Sequence, residues 1–372
     1  MREFKEFLKR AYGFVNPKER SQKVKLKKDI LGYFNQDFDA TLKISIEKDD
    51  WKRLFLKMLE TSTCAEVLVL QNLFTGFAKE KLMLIKRAKK IAPSSVVALS
   101  AINNNIIYLK NFLPYYREMG VGHFILIDNN SDDGTIEFLN QQDDVTLYSA
   151  PYPFHGVRKA GWKLQALANY GLNRWCLWLD SDEFLAYPEM ESVKINEYLN
   201  RLYEKGIRNI GGFMLDMYPS YKLLDSNESG DNFYQDYQYF DKYNPCYQIR
   251  ADVLYGGMRG RLLDIYDLRL DKTPLVYCSK ENIPSGNHTT FPSRKNLSKN
   301  YGCVLKHYKF LSSDLDKFKA RARDEKSGYS SFESQKKYEE LIGMTAYSSL
   351  SVKYEDSTSL RVFPFVRNFL KE

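Results

Sequence analysis

The run Trp175-Cys176-Leu177-Trp178-Leu179-Asp180-Ser181-Asp182-Glu183-Phe184-Leu185 sets an apolar stretch against three acids and then another apolar pair. An unbroken apolar run reads as a strand buried on both faces, which requires a sheet covered by helices on each side. In open α/β sheets ligands bind just beyond the carboxyl ends of such strands, and Asp180 and Asp182 are expected there. Two carboxylates separated by one small residue can reach a hard divalent ion, Mn2+ or Mg2+, that keeps other positions for phosphate oxygens. The arrangement suits a nucleoside diphosphate.

Upstream of that run, strand and helix patterns alternate, which predicts a doubly wound α/β sheet with right-handed crossovers. Residues 96–101 read as a first strand; Asn103, Asn104 and Asn105 then cap a helix from Ile106 that Gly120 stops. Residues 123–128 form a second strand, the polar turn 129–134 leads into a short helix, 145–149 give a third strand, and 158–170 a third helix ended by Gly171. The first 92 residues differ: they are lysine-rich, with an alternating run at 41–47 and a basic segment at 79–90 that reads as a helix, and we treat them as an accessory module. Beyond residue 311 the chain turns helical and charged, closing on LRVFPFVRNFL, which suits either an anionic bilayer or packing on the body of the protein.

With 372 residues and 44% hydrophobic content the chain can bury a large core, and a net charge of +8 favours anionic partners without demanding nucleic acid. Five cysteines without CxxC spacing read as reduced core thiols, which points to the cytoplasm. No long uncharged apolar stretch or signal-type core appears, leaving peripheral attachment to the inner face of a membrane as the membrane option.

GVGHFILIDNNSDDGT, followed about fifty residues later by WLDSDEFL, resembles the two signature regions of a GT-A-fold glycosyltransferase, nearest to the family-2-like group related to family 92. The resemblance extends through Gly286-Asn287-His288 and Val304-Leu305-Lys306-His307, covering roughly residues 96–310. One departure is visible: the group usually carries Lys-Asn-Glu after the first strand, where this chain has Asn103-Asn104-Asn105. The resemblance implies a GT-A-type mixed sheet and a metal-dependent, inverting transfer of a sugar from a UDP- or GDP-linked donor to a glycan or lipid-linked acceptor. Bacterial surface polysaccharide synthesis is the expected setting.

Asp128, at the second strand end, is expected to contact the nucleotide, with Asn103 and Asn130 beside it; their structural alternatives are an Asx-turn and helix capping. Lys163 on the third helix and Arg259 in the basic segment 256–261 are candidates for the donor diphosphate, against the plainer readings of a solvated face and a hairpin. The resemblance makes His307 a third metal ligand beside Asp180 and Asp182, otherwise a core histidine. An inverting reaction needs a general base, for which the acids well after the turn, Asp241, Asp252, Asp264, Asp267 and Asp271, with Asp264 preferred, and His288 are the candidates; His288 is alternatively a phosphate binder or a turn residue. A nucleotidyltransferase also uses paired carboxylates and metal, but no glycine-rich phosphate loop follows the first strand. A noncatalytic membrane or RNA adaptor is a third reading, which the intact acids oppose.

Overall fold

The computed structural model describes residues 17–38, 44, 47–89, 95–225, 233–250, 253–264, 268–286, 288–292, 301–323, 337–338, 340–341 and 343–371. Helices α1 (Pro17–Phe34), α2 (Lys48–Thr61) and α3 (Cys64–Phe74) precede strand β1 (Met83–Lys86). The α/β core then runs β2 (Val97–Ile102), α4 (Ile106–Met119), β3 (His123–Asp128), α5 (Thr135–Asn140), β4 (Val145–Ser149), α6 (Gly156–Ala168) and β5 (Arg174–Trp178). After the acidic turn come β6 (Glu183–Ala186), α7 (Ile195–Glu204), β7 (Asn209–Asp216), α8 (Gly257–Leu263), β8 (Asp271–Cys278), β9 (Val304–His307) and α9 (Leu315–Arg323).

One mixed sheet of nine strands, in the order β1-β4-β3-β2-β5-β8-β7-β9-β6, organises the molecule. Its β4-β3-β2-β5 part is parallel, and helices flank the sheet, as the α/β pattern requires. Strands β2, β3 and β5 are almost wholly buried, which is what two helical covers do to a parallel sheet.

The two faces of the sheet carry different cores. Alternate residues of one strand point to opposite faces: Val97, Leu99, Ile125, Ile127, Cys176 and Trp178 pack with α1–α3 and α6, whereas Ala98, Phe124, Leu126, Trp175 and Leu177 pack with α4, α7 and the C-terminal segments. The N-terminal helices therefore share a core with the sheet. Helices α3 and α6 approach closely at glycine, where a Cβ on Gly161 would lie 2.3 Å from the Leu73 carbonyl oxygen.

Three local expectations change. The basic segment 79–90 is not a helix: a π-helical turn ends at Lys79, and Met83–Lys86 form an edge strand antiparallel to β4, as β-forming Leu84 and Ile85 allow. The helix after β2 is capped from another loop, since the Ile106 amide donates to Asp133 Oδ2 at 3.0 Å, while Asn105 Oδ1 accepts from the Asn103 amide. The basic segment 256–261 is neither a hairpin nor a mobile loop but enters α8 with Arg259 buried. Gly120 does stop α4, in the left-handed region at φ 107°. The closing aromatic segment packs on the body: Phe363 and Phe369 are buried, and Phe365 meets Phe213, Tyr243 and Tyr301. Most of the alternating run 41–47 lies outside the described residues. No helix among the described residues is long and apolar enough to cross a membrane.

Candidate active site

A cavity of about 200 Å³ opens at the carboxyl ends of β2, β3 and β5, lined by Ile102, Asn103, Asn129 and the Asp180-Ser181-Asp182 turn. Lys159, Lys309, Asp314 and Lys317 complete its charged wall. The position is the one a doubly wound sheet offers to a ligand, because neighbouring connections diverge there and leave a crevice.

On the far side of the turn, register does the assembling. Antiparallel β6 and β9 set Glu183 opposite His307, and parallel β9 and β7 set His307 opposite Asp216, so these three side chains line one row across three strands. His307 Nδ1 lies 2.7 Å from Asp216 Oδ1, and its Nε2 faces Asp182 Oδ2 at 3.5 Å. Asp216 Oδ2 in turn accepts from Arg259 Nε at 2.7 Å. Burial alone would raise the Asp182 carboxyl; the His307 imidazole holds it well below the usual carboxylate range. A histidine anchored through one nitrogen by a carboxylate has the support that metal-binding imidazoles commonly carry; burial would lower His307, and Asp182 and Asp216 together raise it above its ordinary value. Asp182, Glu183 and His307 offer ligand atoms within 4.8 Å of one another. Glu183, however, accepts from the Asp180 amide at 3.0 Å and is bonded to Lys272, so Asp182 and His307 are the pair open to an ion. One carboxylate oxygen and one imidazole nitrogen suit a hard cation that takes its remaining ligands from phosphate and water.

Asp180, expected to ligate the same ion, faces ammonium groups instead. Its Oδ1 accepts from Lys159 Nζ at 2.7 Å and lies 3.7 Å from Lys163 Nζ, and its Oδ2 accepts from Lys272 Nζ at 3.2 Å. Those lysines hold the carboxyl well below its ordinary value against the opposing effect of burial.

The other expected residues are dispersed. Asn103 lines the cavity and donates to the Asn129 carbonyl at 2.8 Å. Asp128 is buried, its Oδ2 accepting from the Ser131 amide at 3.1 Å and its Oδ1 without a partner among the described residues, and burial raises its carboxyl. Asn130 is exposed at φ 62°, a turn residue whose carbonyl accepts from Asn103. Lys163 is buried under the turn, donating to the Leu179 carbonyl at 2.8 Å with its ammonium 4.8 Å from the Trp178 ring centre; burial lowers it to about 7. Lys163 therefore supports the turn from below and does not line the cavity. Arg259 likewise holds Asp216 and does not line it.

Of the candidate bases, Asp264 is exposed at the end of α8 at φ 54°, apart from the cavity lining. His288 is likewise not part of the cavity lining; its Nδ1 lies 2.7 Å from the Asp271 carbonyl oxygen, so Nδ1 carries the proton and Nε2 keeps its lone pair. Burial, with Lys272 nearby, lowers it to about 4, and Asp180 acts on it electrostatically. Among the remaining acids after the turn, Asp241 is paired with Arg261 and Asp271 with Arg269, while Asp252 and Asp267 lie outside the described residues, as does Asn287. Asp216, Lys272, Lys309, Asp314 and Lys317 were not reached from sequence. The polar termini of β7 and β9 were the available signal for Asp216, since an acid closing an apolar strand is what marked Asp128.

No family model matches the chain. A stretch of 104 residues, 27% of the chain, is 31% identical to a glycosyltransferase family 92 protein of Oryza sativa subsp. japonica, of which it covers 18%. A stretch of 95 residues is 32% identical to a glycosyltransferase family 92 protein of Ricinus communis, covering 24% of this chain and 16% of that protein. These matches support a glycosyltransferase relationship. The chain spans less than a fifth of the length of either relative.

Proposed function

We propose that this protein is a metal-dependent, inverting glycosyltransferase that moves a sugar from a UDP- or GDP-linked donor to a glycan or lipid-linked acceptor, in bacterial surface polysaccharide synthesis. The observation that carries the reading is the Asp182–His307–Asp216 alignment at the edge of a cavity lying over the carboxyl ends of β2, β3 and β5. Asn103 and the loop after β3 supply polar groups for base and ribose, and the lysines near Asp180 supply cationic surroundings for a diphosphate. When bound at Asp182 and His307, Mn2+ or Mg2+ would offset the charge that grows on the departing diphosphate. His288 is our choice for the acceptor-hydroxyl base, because its Nδ1–H is fixed on the Asp271 carbonyl, which leaves Nε2 as the nitrogen with a lone pair. Four buried cysteines are free thiols, which supports a reducing, cytoplasmic location.

The test is a panel of UDP- and GDP-linked sugars with Mn2+, following release of the nucleoside diphosphate. Release with at least one donor, lost with a chelator, is expected. Silence across the panel, with and without candidate glycan acceptors, would remove the assignment. His288→Gln should lower kcat while leaving donor binding intact.

A further inference from the structure

Asp180 and Asp182 stand one residue apart yet meet opposite surroundings, and the difference bears on how a donor is gripped. To ligate a dication, Asp180 would have to release Lys159 and Lys272, and the ion would approach Lys163 as well, all of like charge. Asp182 pairs with no lysine within 4.0 Å among the described residues and faces a histidine backed by Asp216. The cavity wall is nevertheless rich in cations. Lys159 reaches it from α6, Lys309 from the segment after β9, and Lys317 from α9. Lys317 is fixed by the Asn104 carbonyl at 2.7 Å and by Asp314 Oδ1 at 3.1 Å. Lys309 has no carboxylate within 4.0 Å among the described residues; its ammonium lies 5.7 Å from the Tyr338 ring centre, and its charge is felt at Asp182. Ammonium groups presented from three separate elements to one cavity make a place for a polyanion, because charge-assisted hydrogen bonds are the strong ones.

We propose that Lys159, Lys309 and Lys317 form an anion subsite that takes the diphosphate directly, with Asp180 positioning Lys159 in place of ligating the cation. The assignment of the anion as the donor's diphosphate rests on the glycosyltransferase reading; the subsite itself does not. It follows that diphosphates bind the protein without a divalent ion, and that the ion enters at Asp182.

Calorimetric titration of the full chain with UDP, GDP and inorganic pyrophosphate in EDTA tests this, beside titration with Mn2+ alone. Binding in EDTA is expected for all three, weakened about tenfold by Lys309→Ala and by Lys159→Met. Asp182→Asn should abolish Mn2+ binding and keep the metal-free pyrophosphate affinity. Asp180→Asn should do the reverse, leaving Mn2+ affinity within about threefold while weakening pyrophosphate about tenfold. Thermal melts check folding, and Lys309→Ala, which removes no ion pair among the described residues, keeps the test readable if Asp180→Asn does not fold. Absence of any diphosphate binding in EDTA overturns the proposal, as does loss of Mn2+ binding in Asp180→Asn equal to that in Asp182→Asn. Failure of the sugar-transfer reading would instead appear as no donor turnover with the pyrophosphate titration unchanged.

Discussion

The acidic turn after β5 is divided between two supports. Its Asp180 end is held by lysines on α6 and β8, and α6 packs through Gly161 onto the N-terminal helices. Its Asp182 end is held by a histidine on β9, an aspartate on β7 and an arginine on α8, with Tyr338 3.4 Å behind the arginine. One side collects positive charge and the other a carboxylate–imidazole chain. Neighbours in sequence thus acquire separate chemistry from elements far away in the chain, so the spacing of two acids does not by itself fix what each one does.

The division can be tested by disturbing each side in turn. Asp182→Asn should give the largest effect, a fall in kcat/KM on the order of 10² to 10³ in a donor-turnover assay, with an unchanged melting profile. Asp216→Asn removes the anionic anchor of His307 and leaves one acceptor oxygen for two donors, His307 and Arg259, and Mn2+ affinity should drop about 10- to 100-fold by titration. Gly161→Ala acts only on the lysine side: its Cβ would also meet the Phe77 amide nitrogen at 2.7 Å, and urea unfolding should show a loss of about 2 kcal/mol. If Mn2+ affinity moved as much as diphosphate affinity in that variant, the two supports would not be separate. Acid should weaken the sheet that both sides share. His123 at the start of β3 is buried against Thr146 and Tyr170, and burial lowers it to about 4. The unfolded chain takes its proton near pH 6.5, so stability is full above that value and falls toward pH 4. A loss of about 2 kcal/mol between pH 7 and 5 is expected, smaller in His123→Phe. The smallest effect belongs to Lys89→Ala: both partners of the Lys89–Asp143 pair are 69% exposed, and urea unfolding should move by no more than about 0.5 kcal/mol.

Much of the fold was legible because period-two and period-3.6 patterns were interrupted by Asn, Gly and Asp where the chain turns. Strands β3 and β4 fall on the predicted residues, and β2, α4, α6 and β5 within two or three of them. Asp180 and Asp182 were found for the same reason, since acids after an apolar strand have few other places to lie. What stayed hidden was set by register and by contacts between distant elements. Nothing local to Asp216 announces that parallel pairing sets it beside His307, and Lys272 reads as an ordinary strand residue until β8 is laid beside β5. Segment 79–90 misled because lysine content resembles a helix face, whereas an empty sheet edge beside β4 decided its conformation.

That edge has a further consequence. Strand β1 closes one border of the sheet with Met83, Leu84 and Ile85 each more than 40% exposed, and among the described residues its outer backbone groups face no tenth strand. A greasy, unpaired border of this kind is a template on which a second molecule can stack. The pairing register slips between Leu84 and Lys86, and Lys81, Lys86 and Arg87 hem the aliphatic stretch on both flanks. Irregularity and like charge together keep copies apart, so neutralising those three side chains should bring concentration-dependent clumping before it touches the chemistry.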